Sequence, residues 1–162
     1  MKKLFILILL LIVSMVAIMA QETTWTTDTS IDLMTDKETF VIIGMAVVSQ
    51  QTLRTPGIVI RKINDDLDVY IVWGGYSMEE EGMISVRFGS VEPVRLRFTL
   101  STDDEATFVR EPNDFLKSIA LLGPDDTITI QAQRATGVTS VARWTVGNLV
   151  ELIEEHFSAF LL

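Results

Sequence analysis

The stretch Gly57-Ile58-Val59-Ile60-Arg61-Lys62-Ile63-Asn64-Asp65-Asp66-Leu67-Asp68-Val69-Tyr70-Ile71-Val72-Trp73-Gly74-Gly75 sets two apolar runs around a short polar turn. β-Branched and aromatic residues on both sides favour strands, and Asn and Asp close turns through their own side chains. The stretch therefore predicts a β-hairpin, Ile58–Ile63 against Leu67–Trp73, with more sheet on either side. By the two-residue period of a strand, Val69, Ile71 and Trp73 share one face, with Asp68, Tyr70 and Val72 on the other.

Working outward, Glu38–Ser49 is rich in β-branched and aromatic residues and predicts one long strand. It is apolar on both faces, so a central or covered place is expected. Before it, residues 21–36 are Thr- and Asp-rich, and only a short strand or turn around Thr24–Thr27 is expected, with Trp25 clamping the terminus. Gln50–Pro56 reads as a loop. Downstream, Tyr76–Glu81 is an acidic loop closed by Gly82, and Met83–Phe88 is a strand. Glu92–Leu100 alternates, with Val94, Leu96, Phe98 and Leu100 inward and Arg95, Arg97 and Thr99 outward. Ala106–Arg110 is a short strand. Pro112 suits the first position of a helix that Gly123-Pro124 ends. Thr127–Arg134 and Thr139–Trp144 predict a second hairpin, and Val146–Phe160 a closing helix whose apolar residues recur at helical spacing. The total predicts a mainly β chain, a two-layer antiparallel β-sandwich with one inserted helix and a C-terminal helix.

At 162 residues the chain is one domain on length. Lys2 and Lys3, the apolar run Leu4–Ile18 and the small Ala20 have the layout of a secretory signal peptide, leaving residues 21–162 as a single domain. An uncleaved anchor is the alternative, since the run approaches the roughly 20 residues of a membrane span. A periplasmic or secreted protein is the expectation either way. The net charge is −9, and without Lys2 and Lys3 the remaining 11 basic and 22 acidic side chains give −11. Such a surface repels phosphate backbones and anionic lipid, which argues against nucleic-acid or membrane-surface partners. There is no cysteine, so disulfides, thiol redox chemistry and thiolate metal sites are excluded.

Motifs for catalysis are lacking. His156 is the single histidine, on the apolar edge of the last helix with no nucleophile elbow anywhere, and no Gly-rich phosphate loop occurs. The acidic runs at Asn64–Asp68, Glu79–Glu81, Asp103–Glu105 and Asp125-Asp126 read as solvated turns. The first lacks the Gly and distal Glu of a calcium loop. No catalytic residue, metal or cofactor is expected. The arginines are more suggestive: Arg87, Arg95 and Arg97 fall opposite the apolar positions, Arg61, Arg134 and Arg143 sit on neighbouring elements, and a cluster on one sheet face can recognise carboxylate or phosphate. Cross-strand pairing with the many acids is the weighed alternative, and the favoured one. Tyr70 is a candidate stacking residue, whereas Trp73 shares its face with Val69 and Ile71 and reads as core.

Several segments in order resemble a known family. They are Trp25; Ser30, Met34, Thr35 and Asp36; Pro56 through Arg61; Val69-Tyr70-Ile71-Val72-Trp73-Gly74; Leu100-Ser101-Thr102-Asp103 with Ala106-Thr107-Phe108; and Phe115-Leu116-Lys117. Together they resemble the type VI secretion-associated accessory proteins called VasI or TagO. Phe98-Thr99-Leu100 stands where the family's Trp-Ser-Leu would fall, and Lys62 where many members carry a Cys. The resemblance implies a non-enzymatic accessory or binding role in the bacterial envelope, with other envelope or secretion-system proteins as partners. It brings no catalytic residues. A binding module for a small ligand or glycan, using Arg87, Arg95, Arg97 or Tyr70, is the second expectation, and an envelope hydrolase the third.

Overall fold

The computed structural model describes residues 22–32, 35–50, 54–79 and 82–162. The expected leader, residues 1–20, lies outside the described residues, as do Leu33, Met34, Gln51–Leu53, Glu80 and Glu81. The strands are β1 (Trp25–Asp32), β2 (Lys37–Met45), β3 (Val48–Gln50), β4 (Gly57–Ile63), β5 (Asp66–Val72), β6 (Met83–Phe88), β7 (Val94–Leu100), β8 (Ala106–Val109), β9 (Thr127–Gln133) and β10 (Thr139–Thr145). Helix α1 (Pro112–Ile119) is inserted between β8 and β9. Helix α2 (Leu149–Phe157) follows β10 and continues into a short 3-10 turn, Ser158–Phe160.

The protein is mainly β, and every strand pairing is antiparallel. The opening hairpin forms as expected. Ile58 faces Ile71 and Ile60 faces Val69 across β4 and β5, and Asn64 takes the left-handed turn conformation at φ 52 that Asn tolerates. The pairing runs unbroken through ten strands, in the order β1-β2-β4-β5-β8-β7-β6-β9-β10-β3. Two bent strands make this possible. The first half of β7 pairs β6 and its last residues pair β8. Likewise the long strand expected over Glu38–Ser49 breaks at Ala46-Val47. β2 pairs β1 and β4, whereas β3 pairs β10 at the far end of the order. At that corner the Ala46 N–H donates to the Pro56 carbonyl and the Val47 N–H to the Arg143 carbonyl. The sheet thus closes on itself through consecutive residues, leaving β1 as an added edge strand.

The inward faces form one continuous core that includes Ile42, Ile58, Ile60, Val69, Ile71, Trp73, Ile84, Val86, Ile128, Ile130 and Trp144. Buried indoles keep their N–H groups bonded: Trp73 Nε1 donates to Thr107 Oγ1 and Trp144 Nε1 to the Gly44 carbonyl, both at 3.0 Å. Both helices close one end. Phe115, Leu116 and Ile119 of α1 are buried, with Phe115 edge-on to Phe88, and α2 buries Leu149, Ile153 and Phe157. Helix α2 begins three residues later than its periodicity suggests, because Val146-Gly147 still form a turn.

Two more expectations change. β1 is a full strand of eight residues, paired to β2 along its whole length. Its Thr and Asp side chains hide a strand that backbone pairing creates, and its apolar anchor is Trp25, which packs on Gly44 and donates from Nε1 to the Thr145 carbonyl. In β7, Val94 stands 46% exposed instead of inward, because it opens the strand at the rim of the sheet.

Candidate functional site

Alternation along the closed sheet produces two unlike outer surfaces. On β6, β7, β9 and β10 the inward residues are apolar or small, so the odd-numbered residues stand outward. Register then assembles them into rows: Arg95 beside Ser85, Gln131 and Val141, and Arg87 beside Thr129 and Arg143. Arg97 pairs with Met83 on one side. On the other, the Arg110 N–H donates to the Arg97 carbonyl, so two arginines stand next to each other. Arg87, Arg95 and Arg97 are exposed on this face, and no described residue at its outward strand positions is an Asp or Glu.

The structure therefore brings Arg87, Arg95, Arg97 and Arg143 together and adds Arg110, while Arg61 lies beside Tyr70 on the other surface and Arg134 is buried. Among the described residues, the favoured pairing of Arg87, Arg95 and Arg97 with acids does not occur. Among the described residues the ion pairs are Arg61–Asp68 at 2.6 Å and His156–Glu155 at 3.7 Å. The reason is register: the outward positions of β6, β7, β9 and β10 are filled largely by Ser, Thr, Gln and Arg, while the strand acids Asp28 and Asp68 lie on β1 and β5. Arg143 has a side-chain partner, Nε donating to Thr129 Oγ1 at 3.2 Å.

Tyr70 lies elsewhere. It faces outward on β5, with its ring stacked on Phe108 at 4.7 Å and the Arg61 guanidinium 5.5 Å from its centroid. Around it the outer surface is apolar: Val59 is buried, Val41 and Val72 are half-buried, and Ile43 and Met45 are 36% and 48% exposed. Trp73 is fully buried, as its shared face with Val69 and Ile71 implies.

At the end opposite the helices, loop 73–79 crosses the open rim. Backbone bonds pin it from both sides: Trp73 N–H to Glu105 O, Met78 N–H to Asp104 O and Glu79 N–H to Gln133 O. Gly74 (φ 69) is required here, because a Cβ would come 2.5 Å from the Arg54 carbonyl oxygen. Beneath the loop, Arg134 is buried. Its Nε donates to Ser140 Oγ at 2.7 Å, its Cζ lies 3.6 Å from the Tyr76 ring centroid, and its Nη2 has no hydrogen-bond partner. Nothing in the strand pattern announces this buried cation; it ends β9 in the inward register.

Beside the loop the β6–β9 pairing begins only at Ser85, leaving a notch at Met83. A cavity of about 370 Å³ occupies it, lined by Glu79, Gly82, Met83, Ser85, Arg95, Phe98, Gln131, Gln133 and Thr139 among others. Glu79 and Arg95 share this cavity without forming an ion pair.

The acidic turns hold themselves. The Ser101 hydroxyl and the Glu105 N–H both donate to the Asp103 carboxylate and hold its pKa below the ordinary value. Among the described residues no group of three or more His, Asp or Glu is placed to hold a metal ion, and no helix is long and apolar enough to cross a membrane. His156 packs on Phe40, ring centroids 4.1 Å apart, in the last turn of α2.

No family model, curated protein or solved structure matches this chain. What can be said of its role rests on its own residues.

Proposed function

We propose that the protein is an exported, non-enzymatic binding module that holds an acidic polymer of the bacterial envelope, a carboxylate- or sulfate-bearing glycan, on the outer face of β6, β7, β9 and β10. The carrying observation is that, among the described residues, the outward strand positions of this face hold no acid and Arg87, Arg95 and Arg97 have no ion-pair partner. A guanidinium presents a planar fork that matches carboxylates and sulfates, and Ser85, Thr129, Gln131 and Gln133 add neutral hydrogen-bonding groups between the charges. No aromatic side chain stands at the described outward strand positions of this face, which favours a sugar polymer over a single-stranded nucleic acid that would need stacking platforms.

Binding to an acidic polysaccharide such as polygalacturonate, measured against neutral dextran across a salt series, tests this. The acidic polymer is expected to bind and the neutral one not, with affinity falling as salt rises. Arg87→Gln and Arg97→Gln should each flatten the logarithmic salt dependence by about one contact, by counter-ion release. Absence of binding at low salt, or variants that bind like the parent, would overturn the proposal.

A second reading keeps the accessory role that the VasI/TagO resemblance implies. The apolar outer surface around Ile43, Met45, Val59, Val72, Tyr70 and Phe108 supports it, because such a patch suits the core of a protein interface better than the arginine face does. Met45→Asp would then abolish co-purification with an envelope partner while leaving polysaccharide binding intact.

A further inference from the structure

We infer that the cavity at the start of β6 binds a short zwitterionic peptide, with its carboxylate on Arg95 and its terminal ammonium on Glu79. This ligand is distinct from the polymer proposed above; the cavity opens at the edge of that face and shares Ser85, Arg95, Gln131 and Gln133 with it, but not Arg87 or Arg97.

Three observations converge. First, among the described residues the cavity carries one cation and one anion that do not form an ion pair with each other. Arg95 comes from β7 and Glu79 from the loop before β6, both line the cavity, and no ion pair joins them. Opposite charges facing one cavity without closing on each other are satisfied together by a ligand that carries both charges itself. An anion alone would leave Glu79 repelling it, and a cation alone would meet the same repulsion from Arg95.

Second, both groups are held in place by backbone. Glu79 donates its N–H to the Gln133 carbonyl, and Arg95 sits in register with Ser85 in the middle of the β6–β7 pairing. A site on pinned strands loses little freedom on binding.

Third, the remaining lining matches a peptide. Gln131, Gln133, Ser85 and Thr139 supply donors and acceptors for an amide, while Phe98 and Met83 give a small apolar patch for a short side chain. The volume of about 370 Å³ is at the small end of ligand pockets, suited to a dipeptide and too small for a folded segment. Gly82 keeps the space open: a Cβ there would reach the Phe98 ring at 3.4 Å, and a longer side chain would fill the notch.

The test is calorimetric titration with Ala-Ala, N-acetyl-Ala-Ala and Ala-Ala-amide. The free dipeptide should bind at least roughly tenfold more tightly than either capped form, the loss expected for one charge-assisted hydrogen bond. Glu79→Gln should erase the preference over the acetylated form alone, and Arg95→Gln the preference over the amide alone. Gly82→Leu, which keeps both charges, should abolish binding of all three while leaving the Arg87- and Arg97-dependent binding of polysaccharide unchanged. Equal binding of free and capped peptides, no saturation into the millimolar range, or unchanged selectivity in the two charge variants would overturn the inference. Polymer binding that fails while the dipeptide binds would sink the arginine-face proposal and leave this one standing.

Discussion

Gly44→Ala should be among the most damaging single-methyl additions to this protein, and its damage should vanish when Trp25 is removed. A Cβ on Gly44 would lie 2.2 Å from two carbons of the Trp25 ring, far inside van der Waals contact. Trp25 is only 6% exposed, and its Nε1 donates to the Thr145 carbonyl at 3.0 Å, so it ties edge strand β1 to β10. The added methyl must evict the ring or peel β1 away. A buried tryptophan covers about 200 Å², which at about 25 cal/mol per Å² gives an upper figure near 5 kcal/mol. Partial relaxation and a compact unfolded chain reduce this to about 3 kcal/mol, in line with large-to-small core substitutions. For a domain of this size that is a fall of roughly 10 °C in Tm. Trp25→Ala should cost about the same. In the Trp25→Ala background, however, Gly44→Ala meets no ring and should be neutral or stabilising by about 0.5 kcal/mol, since alanine has less freedom to lose in a strand than glycine. Urea unfolding followed by the fluorescence of Trp73 and Trp144 gives all four corners of the cycle. Additive costs for the two substitutions would refute the reasoning, because they would mean that the ring is not what Gly44 accommodates.

Further outcomes follow from neighbouring geometry. Arg97→Gln should raise stability by a few tenths of a kcal/mol at low salt, with the gain shrinking as salt is added, because Arg97 stands beside Arg110 and like charges across strands repel; thermal melts in a salt series would read it. Thr107→Val should cost about 1–3 kcal/mol in urea unfolding by leaving the buried Trp73 indole N–H without its acceptor. Arg134→Met should be neutral or stabilising, since it replaces a buried cation carrying an unpartnered Nη2, whereas Tyr76→Ala should cost about 2 kcal/mol by removing the ring that faces the guanidinium; a Met variant losing several kcal/mol would show that the cation is needed. Ser101→Ala should move the Asp103 pKa up toward its ordinary value, because the Ser101 hydroxyl is the main cause of its lowering. A carboxylate depressed in the folded state contributes stability above its unfolded pKa and loses it as pH falls through the folded pKa, so the variant's acid unfolding should begin at slightly higher pH, checked by NMR titration.

The hairpin of β4 and β5 was legible because its signals are local. Alternation, β-branched content and an Asn-Asp turn all fall within a few residues of one another. β1 was not legible, because its strand character comes from pairing with β2 while its side chains are those of a loop. The break between β2 and β3 was equally hidden. Val47 and Val48 continue the apolar run, and only the competing demands of β4 and β10 on the two ends of that run bend the chain there. The arginines show the same division. Their outward placement on β6 and β7 follows from a period of two. Whether acids neutralise them depended on which strands and turns the fold brings near, and the described strand acids Asp28 and Asp68 lie on β1 and β5, away from this face.

The amino-acid sequence by itself determined a mainly β chain with helices after β8 and β10, a buried Trp73 and an outward Arg87, Arg95 and Arg97. These are properties of short-range periodicity and of side-chain size and charge. The tertiary structure alone decided that one sheet closes through the β2–β3 corner, that Tyr70 belongs to a different surface from the arginines, and that Glu79 and Arg95 face a common cavity. Those outcomes depend on strand order, on β7 changing partners midway and on a loop pinned at both sides, none of which leaves a mark at short sequence separation.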